Sequence, residues 1–200
     1  FWNEFYLAVE QIPEWERCAE VRGLWTSADL QIRVARLRAG QSVDYREVMA
    51  LKRIALEALC RCFFGGANPE RAEAFTEYAR AHADLEDYAT FRARAEVASG
   101  SGDEVRRYHL YCQWQMEEQL SRLSRQEGAG LFLDLPVGVH PDGFDTWRWP
   151  ELFAAGMSFG APPDSFFARG QNWDSPPLRP ERMRAEGHRY FVKCIRHHMR

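Results

Sequence analysis

Only one stretch of this chain reads as a buried β-strand, and that limits the folds open to it. Leu131-Phe-Leu-Asp-Leu-Pro-Val-Gly-Val139 is a short apolar run bounded by glycine and proline signals, with one carboxylate inside it. That is the pattern of a strand covered on both faces, as in a parallel sheet. The chain before it has helical periodicity. The stretch 140–178 after it has little period of any kind and a dense mix of Pro, Gly, Asp and aromatic residues. Pro180 then opens a final helix, with Met183, Tyr190 (or Phe191), Cys194 and His198 at helical spacing. Helix, strand, long loop, helix is one unit of an α/β fold. A closed eight-stranded barrel takes about 250 residues, so a chain of 200 residues with one strand cannot close such a barrel alone.

The helices announce themselves by their ends. Ser27 is placed to cap a helix carrying Leu30, Val34 and Leu37, with Gly40 as its stop. Asp44 followed by Glu47 resembles a capping box. The stripe Val48, Leu51, Ala55, Ala58, Leu59, Cys62 continues from it to Gly65-Gly66. Asn68-Pro69 supplies the next N-cap and a proline at the first helical position, and Phe75, Tyr78 and His82 share one face. A shorter helix is predicted over Leu85 to Val97. A break at Ser99-Gly-Ser-Gly102 precedes a long helix from Asp103 to about Arg125, closed by Gly128-Ala-Gly130. Residues 1–130 therefore read as mainly helical, and 131–200 as strand, loop and helix.

Composition narrows the function. The chain is 46% hydrophobic and 14% aromatic, which predicts a packed globular protein rather than a disordered tail. Lys plus Arg number 26 against 29 acids, a net charge of −3, without the clustered positive charge that nucleic acid needs. No run approaches the roughly 18 apolar residues of a membrane span. The first residues, Phe1-Trp2-Asn3-Glu4, carry no initiator methionine and no signal-peptide pattern, and both ends read as cut rather than finished. The five cysteines, Cys18, Cys60, Cys62, Cys112 and Cys194, are odd in number and scattered. That arrangement predicts reduced thiols in a cytoplasmic setting.

The chemistry is concentrated after the strand. His140-Pro-Asp142-Gly-Phe-Asp145-Thr-Trp147 puts two carboxylates and an indole beyond a strand's C-terminal end, where α/β barrels build their sites. Next comes Gly160-Ala-Pro-Pro-Asp164-Ser-Phe-Phe167-Ala-Arg-Gly170-Gln171-Asn172-Trp173. Carboxylates and amides hydrogen-bond vicinal hydroxyls, and an aromatic face packs on the C–H face of a sugar ring. By residue type the loop suits a sugar; equally, its aromatic side chains could do no more than pin it to the surface.

The strings Leu133-Asp-Leu-Pro-Val-Gly-Val-His-Pro-Asp-Gly-Phe-Asp-Thr-Trp147, Gly160 to Trp173 as above, and Ser175-Pro-Pro-Leu178 resemble the 4-α-glucanotransferases of glycoside hydrolase family 77. These are the amylomaltases, or disproportionating enzymes. Phe1-Trp-Asn-Glu-Phe-Tyr6, Tyr88-Ala-Thr-Phe91, Tyr108-His-Leu-Tyr111-Cys-Gln-Trp114 and Gly187 to Arg200 extend the likeness over nearly the whole chain. The resemblance implies an α/β fold, part of a (β/α)8 TIM barrel with a large helical insertion, of which this chain covers an incomplete portion. Residues 1–130 would hold the insertion, and 131–200 a barrel strand (the third), the active-site loop and the following helix. Asp145 would sit at the glycon side of the cleft. Asp164, Phe167, Gln171 and Trp173 would touch or enclose the sugars at the cleavage point, and Trp147 joins them as a candidate substrate-binding residue. The implied partners are maltooligosaccharides and other α-1,4-glucans, with no cofactor. The implied reaction is retaining transfer through a covalent glycosyl-enzyme, which needs two carboxyl groups about 5–5.5 Å apart.

The resemblance also implies a nucleophile in an Arg-x-Asp-His motif, and no such motif occurs between Phe1 and Arg200. No catalytic residue is assigned to the chain. A second departure is Asp174, where the family pattern has glycine. A non-catalytic helical module with a glucan-binding loop is the alternative.

Elsewhere the bland readings are preferred. Cys60-x-Cys62 lacks a second ligand pair for a metal. His197 and His198 are adjacent and diverge on a helix, so His198 is read as a packing residue. His109 is read as buried and hydrogen-bonded, Trp114 as core, and Arg33, Arg36 and Arg38 as a solvated face. Asp134 is either structural or at the floor of the site. No phosphate-binding glycine pattern is present.

Overall fold

A computed structural model describes residues 1–66, 68–96, 102–125, 131 and 133–199. The chain divides into two compact units, Phe1–Gly130 and Leu131–Arg200.

The first unit is helical: α1 (Ala19–Trp25), α2 (Ala28–Ala39), α3 (Tyr45–Gly66), α4 (Pro69–Ala81), α5 (Leu85–Glu96) and α6 (Gly102–Ser124). Local chemistry sets the ends. The Ser27 hydroxyl accepts from Leu30 N, and Asn68 Oδ1 from Arg71 N at 2.8 Å with Pro69 at the first helical position. Asp44 Oδ1 accepts from Glu47 N at 3.0 Å, so half of the capping box forms. The other half does not, because the Glu47 carboxylate is drawn to Arg33 on α2 at 2.8 Å. Arg33 thus bridges two helices rather than lying on a solvated face. The breaks at 97–101 and 126–130 lie outside the described residues.

The core gathers Leu56, Leu59 and Phe63 of α3 with Tyr111, Cys112 and Trp114 of α6. Trp114 is core, and the Arg71 guanidinium stacks 4.0 Å from its ring centroid. Leu7, Ile12 and Val21 complete the cluster from the N-terminal segment. Two buried amides of α6 hold that segment in place. Gln113 accepts from Trp2 N at 2.8 Å and donates to Trp2 O at 2.7 Å. Gln119 does the same for Ala8, at 2.9 and 3.0 Å. Each amide copies the donor–acceptor pair of a neighbouring strand and so anchors the backbone of the N-terminal segment to α6. His109 is buried, with Nε2 2.9 Å from Glu96.

One further expectation fails in this unit. Cys18 and Cys62 are joined as a disulfide, so the cysteines are not all reduced thiols. Spacing in sequence carried no hint of this, because the fold closes a separation of 44 residues. Cys60 and Cys62, two residues apart on α3, point to different sides: Cys60 is buried as a free thiol.

The second unit contains α7 (Phe144–Arg148), β1 (Phe159–Ala161), β2 (Gln171–Ser175), α8 (Pro180–Ala185) and α9 (Arg189–His198). A small core of Leu152, Phe153, Met183 and Tyr190 holds it together. The predicted strand over Leu131–Val139 is not there: the described residues of that run form no strand. A strand exists through the ladder it shares with a neighbour, and the two described strands pair only with each other. Val137 is 80% exposed instead of buried, and Asp134 is exposed rather than fastened to loop amides. The predicted final helix is split at Gly187 and His188, both left-handed at φ 61° and 58°. His198 bonds its own helix, Nδ1 lying 2.8 Å from Cys194 O.

Candidate functional site

The stretch expected to be irregular folds into a hairpin that carries four of the six candidate residues, Asp164 and Phe167 in its loop and Gln171 and Trp173 on its second strand. β1 and β2 pair antiparallel, with Gly160 opposite Asn172 and Ala161 opposite Gln171. A side chain at Gly160 would put its Cβ 1.8 Å from Gln171 O, so only glycine admits this approach. At the far end of the loop Gly170 turns the chain at φ 71°, and its N–H donates to Phe167 O at 2.8 Å.

Asp164 shapes the loop. Its Oδ1 accepts from Phe166 N at 2.8 Å and from Phe167 N at 2.7 Å, while its own N–H donates to Phe167 O at 3.2 Å. This is the local turn that aspartate favours by binding backbone two residues on. It leaves Phe166 90% and Phe167 51% exposed at the tip, although burial would favour both rings inward.

The register of the hairpin jumps between Phe159, opposite Ser175, and Gly160, opposite Asn172, which leaves Trp173 and Asp174 in a bulge. Bulges bend a strand and re-aim a side chain. Asp174 takes the left-handed conformation at φ 55°, and its N–H donates to Asn172 Oδ1 at 3.0 Å. The same oxygen accepts from the Ser158 hydroxyl at 2.6 Å. Trp173 is held edge-on to Phe159, 6.3 Å between centroids, and its indole N–H donates to Gln171 Oε1 at 3.1 Å. Half of the indole stays exposed. Gln171 and Trp173 are thus fixed by each other as one amide-and-ring surface. Gly138 lets the preceding segment pass close behind, since a Cβ there would meet the Phe159 ring and Ser175 at 2.7 Å.

The other two candidates are on α7. Asp145 accepts from the Tyr190 hydroxyl of α9 at 3.1 Å. Burial, and then the Asp145 carboxylate beside it, push the Tyr190 phenol well above its usual range, so it remains a donor. Tyr190 is itself set between Trp149 at 5.3 Å and Phe153 at 5.6 Å. Trp147 is partly exposed, with its ring 5.8 Å from Phe144. Near these elements lies an open cleft of about 530 Å³. Asp142, Thr146, Asn172 and Asp174 line it, over Phe153 and Met157. None of the six candidates lines this cleft. Tyr190 and Asn172 are the positioning residues that sequence reasoning did not assign. Asn172 adjoins Gln171 in the same motif; Tyr190 is marked only by helical spacing.

A family model described as 4-alpha-glucanotransferase matches residues 1–105 and 93–200. The chain belongs to glycoside hydrolase family 77. A family 77 relative, the 4-alpha-glucanotransferase of Haemophilus influenzae, is 30% identical over 96% of this chain and 33% of its own length. The 4-alpha-glucanotransferase of Mycobacterium bovis is 34% identical over 98% of this chain and 30% of its own length. The family 77 chain therefore spans about a third of the curated relatives it matches. The amylomaltase of Streptococcus agalactiae, solved with acarbose, superposes with a TM-score of 0.69 at 21% identity, over 78% of this chain and 39% of that one. That likeness extends to the fold.

Proposed function

We propose that this chain is a glucan-binding portion of a cytoplasmic 4-α-glucanotransferase, which moves α-1,4-glucan segments between maltooligosaccharides by retaining double displacement. Residues 1–130 form the helical insertion and 131–200 a strand, the active-site loop and the next helix of a (β/α)8 barrel. The exposed apolar run at Leu131, Leu135 and Val137 supports this assignment, because a barrel strand is apolar on both faces.

The observation that carries the proposal is the built loop. Its order depends on Gly160, Asp164, Gly170 and the bulge at Trp173–Asp174, and what that order presents to solvent is a Phe, an amide and an indole. Trp173 stacks on a glucose ring. Gln171, already oriented by the indole N–H, uses its amide N–H₂ to fix a ring near the break. Asp145, fixed by Tyr190, and Asp164, through the oxygen its loop amides leave open, accept from sugar hydroxyls. Trp147 adds a second aromatic face. Phe167 excludes water, so that a sugar 4-hydroxyl rather than water takes the chain from the covalent intermediate. The nucleophile and the general acid are supplied from outside these 200 residues.

The test is the product pattern of the full protein on maltotriose. Transfer yields glucose together with longer oligosaccharides, and Trp173→Ala lowers that yield. Glucose and maltose alone, with nothing longer, would remove the transferase assignment. A Trp173→Ala protein as active as the parent would remove the loop from the site.

A further inference from the structure

The disulfide lies in the helical unit and has no part in the glucan site proposed above. Cys18 ends the turn that follows Ile12 and is the N-cap residue of α1; Cys62 lies in the last turns of α3. The bond closes a separation of 44 residues that includes α1, α2 and most of α3. The turn it fastens does structural work beyond α1. Glu14, whose carbonyl accepts from Cys18 N at 2.9 Å, pairs with Arg71 of α4 at 2.9 Å and accepts from the Tyr111 hydroxyl of α6 at 2.7 Å. One covalent link therefore steadies a junction of four elements.

Its two sulfurs are unequally placed. Cys18 is fully buried, whereas Cys62 is half-buried and lines an open cavity of about 420 Å³ with Pro13, Arg17 and Gly65. Arg17 makes no ion pair among the described residues, and Arg61, beside Cys62, pairs with Glu20. An open approach to one sulfur only, with the Glu20 carboxylate that lies within 4.8 Å of it already paired with Arg61, is the setting in which an incoming thiolate attacks. The neighbouring thiols do not compete. Burial pushes Cys60 up to about 12 and Cys112 well above the ordinary thiol range, so neither offers a thiolate to shuffle the bond.

We propose that Cys18–Cys62 is a redox-responsive clasp of the helical unit, opened by a dithiol reductant through the Cys62 sulfur. The reductant's thiolate bonds to Cys62 Sγ, the Sγ–Sγ bond breaks, and its electron pair goes to Cys18 Sγ, which takes a proton. The reductant's second thiol, as thiolate, then attacks the mixed disulfide, closes a cyclic disulfide and releases Cys62 as a thiol. Two electrons and two protons pass to the protein in all. In a reducing compartment, a protein disulfide of this kind is characteristically transient and sensing rather than permanent.

The test uses the full protein, purified without reductant and alkylated with iodoacetamide in denaturant. Peptide mapping is expected to find Cys60, Cys112 and Cys194 alkylated and the Cys18 and Cys62 peptides linked. Under native conditions dithiothreitol, followed by alkylation, is expected to label Cys62 before Cys18. It should also lower the melting temperature of the helical unit by about 10 °C, as loss of a crosslink over a loop of this length implies. Oxidised glutathione restores the original value, and a Cys18→Ala/Cys62→Ala protein shows no response to dithiothreitol. If that double variant folds poorly, Cys62→Ala alone must likewise abolish the response. The clasp is refuted by Cys18 and Cys62 both alkylated after treatment with oxidised glutathione, or by an unchanged melting temperature. It is also refuted by stoichiometric zinc that is lost on substitution of Cys62, which would make Cys18, Cys62 and Glu20 a metal site instead.

Discussion

Asp164 tests whether the loop's shape or its charge matters. Four hydrogen bonds fold the segment from Asp164 to Gly170: two from the Phe166 and Phe167 amides to Asp164 Oδ1, at 2.8 and 2.7 Å, and two within the backbone at 3.2 and 2.8 Å. Asp164→Ala deletes the first two. The loop is exposed, so water replaces much of what is lost and each bond is worth about 0.5–1 kcal/mol here, towards the low end of the usual range. Together they come to about 1–2 kcal/mol, a shift of about 5- to 30-fold toward open loop conformations. Binding to a loop that is less often formed is weakened in proportion. The apparent KM for transfer from maltotriose, read by glucose release, is expected to rise by up to that factor in Asp164→Ala. Asp164→Asn keeps the oxygen that folds the loop but loses the charge and the second oxygen proposed to accept from a sugar hydroxyl, a single exposed bond, so it stays within about fivefold of the parent. Hydrogen exchange at Phe166 and Phe167 should accelerate in the alanine variant and not in the asparagine one. If Asp164→Asn is as impaired as Asp164→Ala while exchange is unchanged in both, the carboxylate acts on the sugar and not through the loop.

Three further outcomes follow from the geometry. Gly160→Ala forces a Cβ against backbone, 1.8 Å from Gln171 O, so the β1–β2 ladder opens, with rapid exchange at Gln171 and loss of transfer while the helical unit keeps its melting temperature. Gln113→Leu removes the two hydrogen bonds that Gln113 makes to the Trp2 backbone and costs about 2–3 kcal/mol in urea unfolding, with the N-terminal segment exchanging first. Stability of the helical unit falls in two stages on acidification. Burial lowers His109 below its usual value, so the unfolded chain takes up a proton from about pH 6.5 downward that the folded one refuses. Burial opposes the charge of Glu96, but hydrogen bonding to His109 and Arg53 prevails and holds it down at about 2, so its contribution is present above about pH 4.5 and is lost between there and pH 2. With allowance for solvent screening that second stage amounts to about 1–2 kcal/mol. A flat unfolding midpoint between pH 7 and 3 would contradict both assignments.

Much of the helical unit was legible because helix ends are local. Ser27, Asn68-Pro69, Gly40 and Gly65-Gly66 act within one turn of themselves, and each stands where its chemistry places it. What could not be read is what joins distant positions. Gln113 and Gln119 lie 111 residues from the backbone they hold, and Cys18 is paired across 44. An amide or a thiol in a helix carries no mark of its partner. The apolar run at 131–139 shows the opposite failure. Its composition fits a strand, but strand formation belongs to a pair of segments, and the described chain gives it no pair.

The hairpin was hidden for a related reason. β1 is Phe-Gly-Ala, with no alternation to detect, and the pairing depends on the missing side chain of Gly160 rather than on any residue that favours strands. The departure at Asp174 could be seen in the sequence, but its meaning could not. The structure supplies it: the position is left-handed at φ 55°, where glycine is unstrained and an L-residue costs up to about 1–2 kcal/mol. Aspartate is among the residues that bear this best, and its N–H is held by Asn172. The strain sits beside Trp173, in the bulge that aims the indole. Glycine at 174 would relieve it but free the chain, since glycine has more conformational freedom to lose. An aspartate held left-handed by its neighbour therefore exchanges a small amount of stability for a fixed ring, and a fixed ring is what the stacking proposed for Trp173 requires.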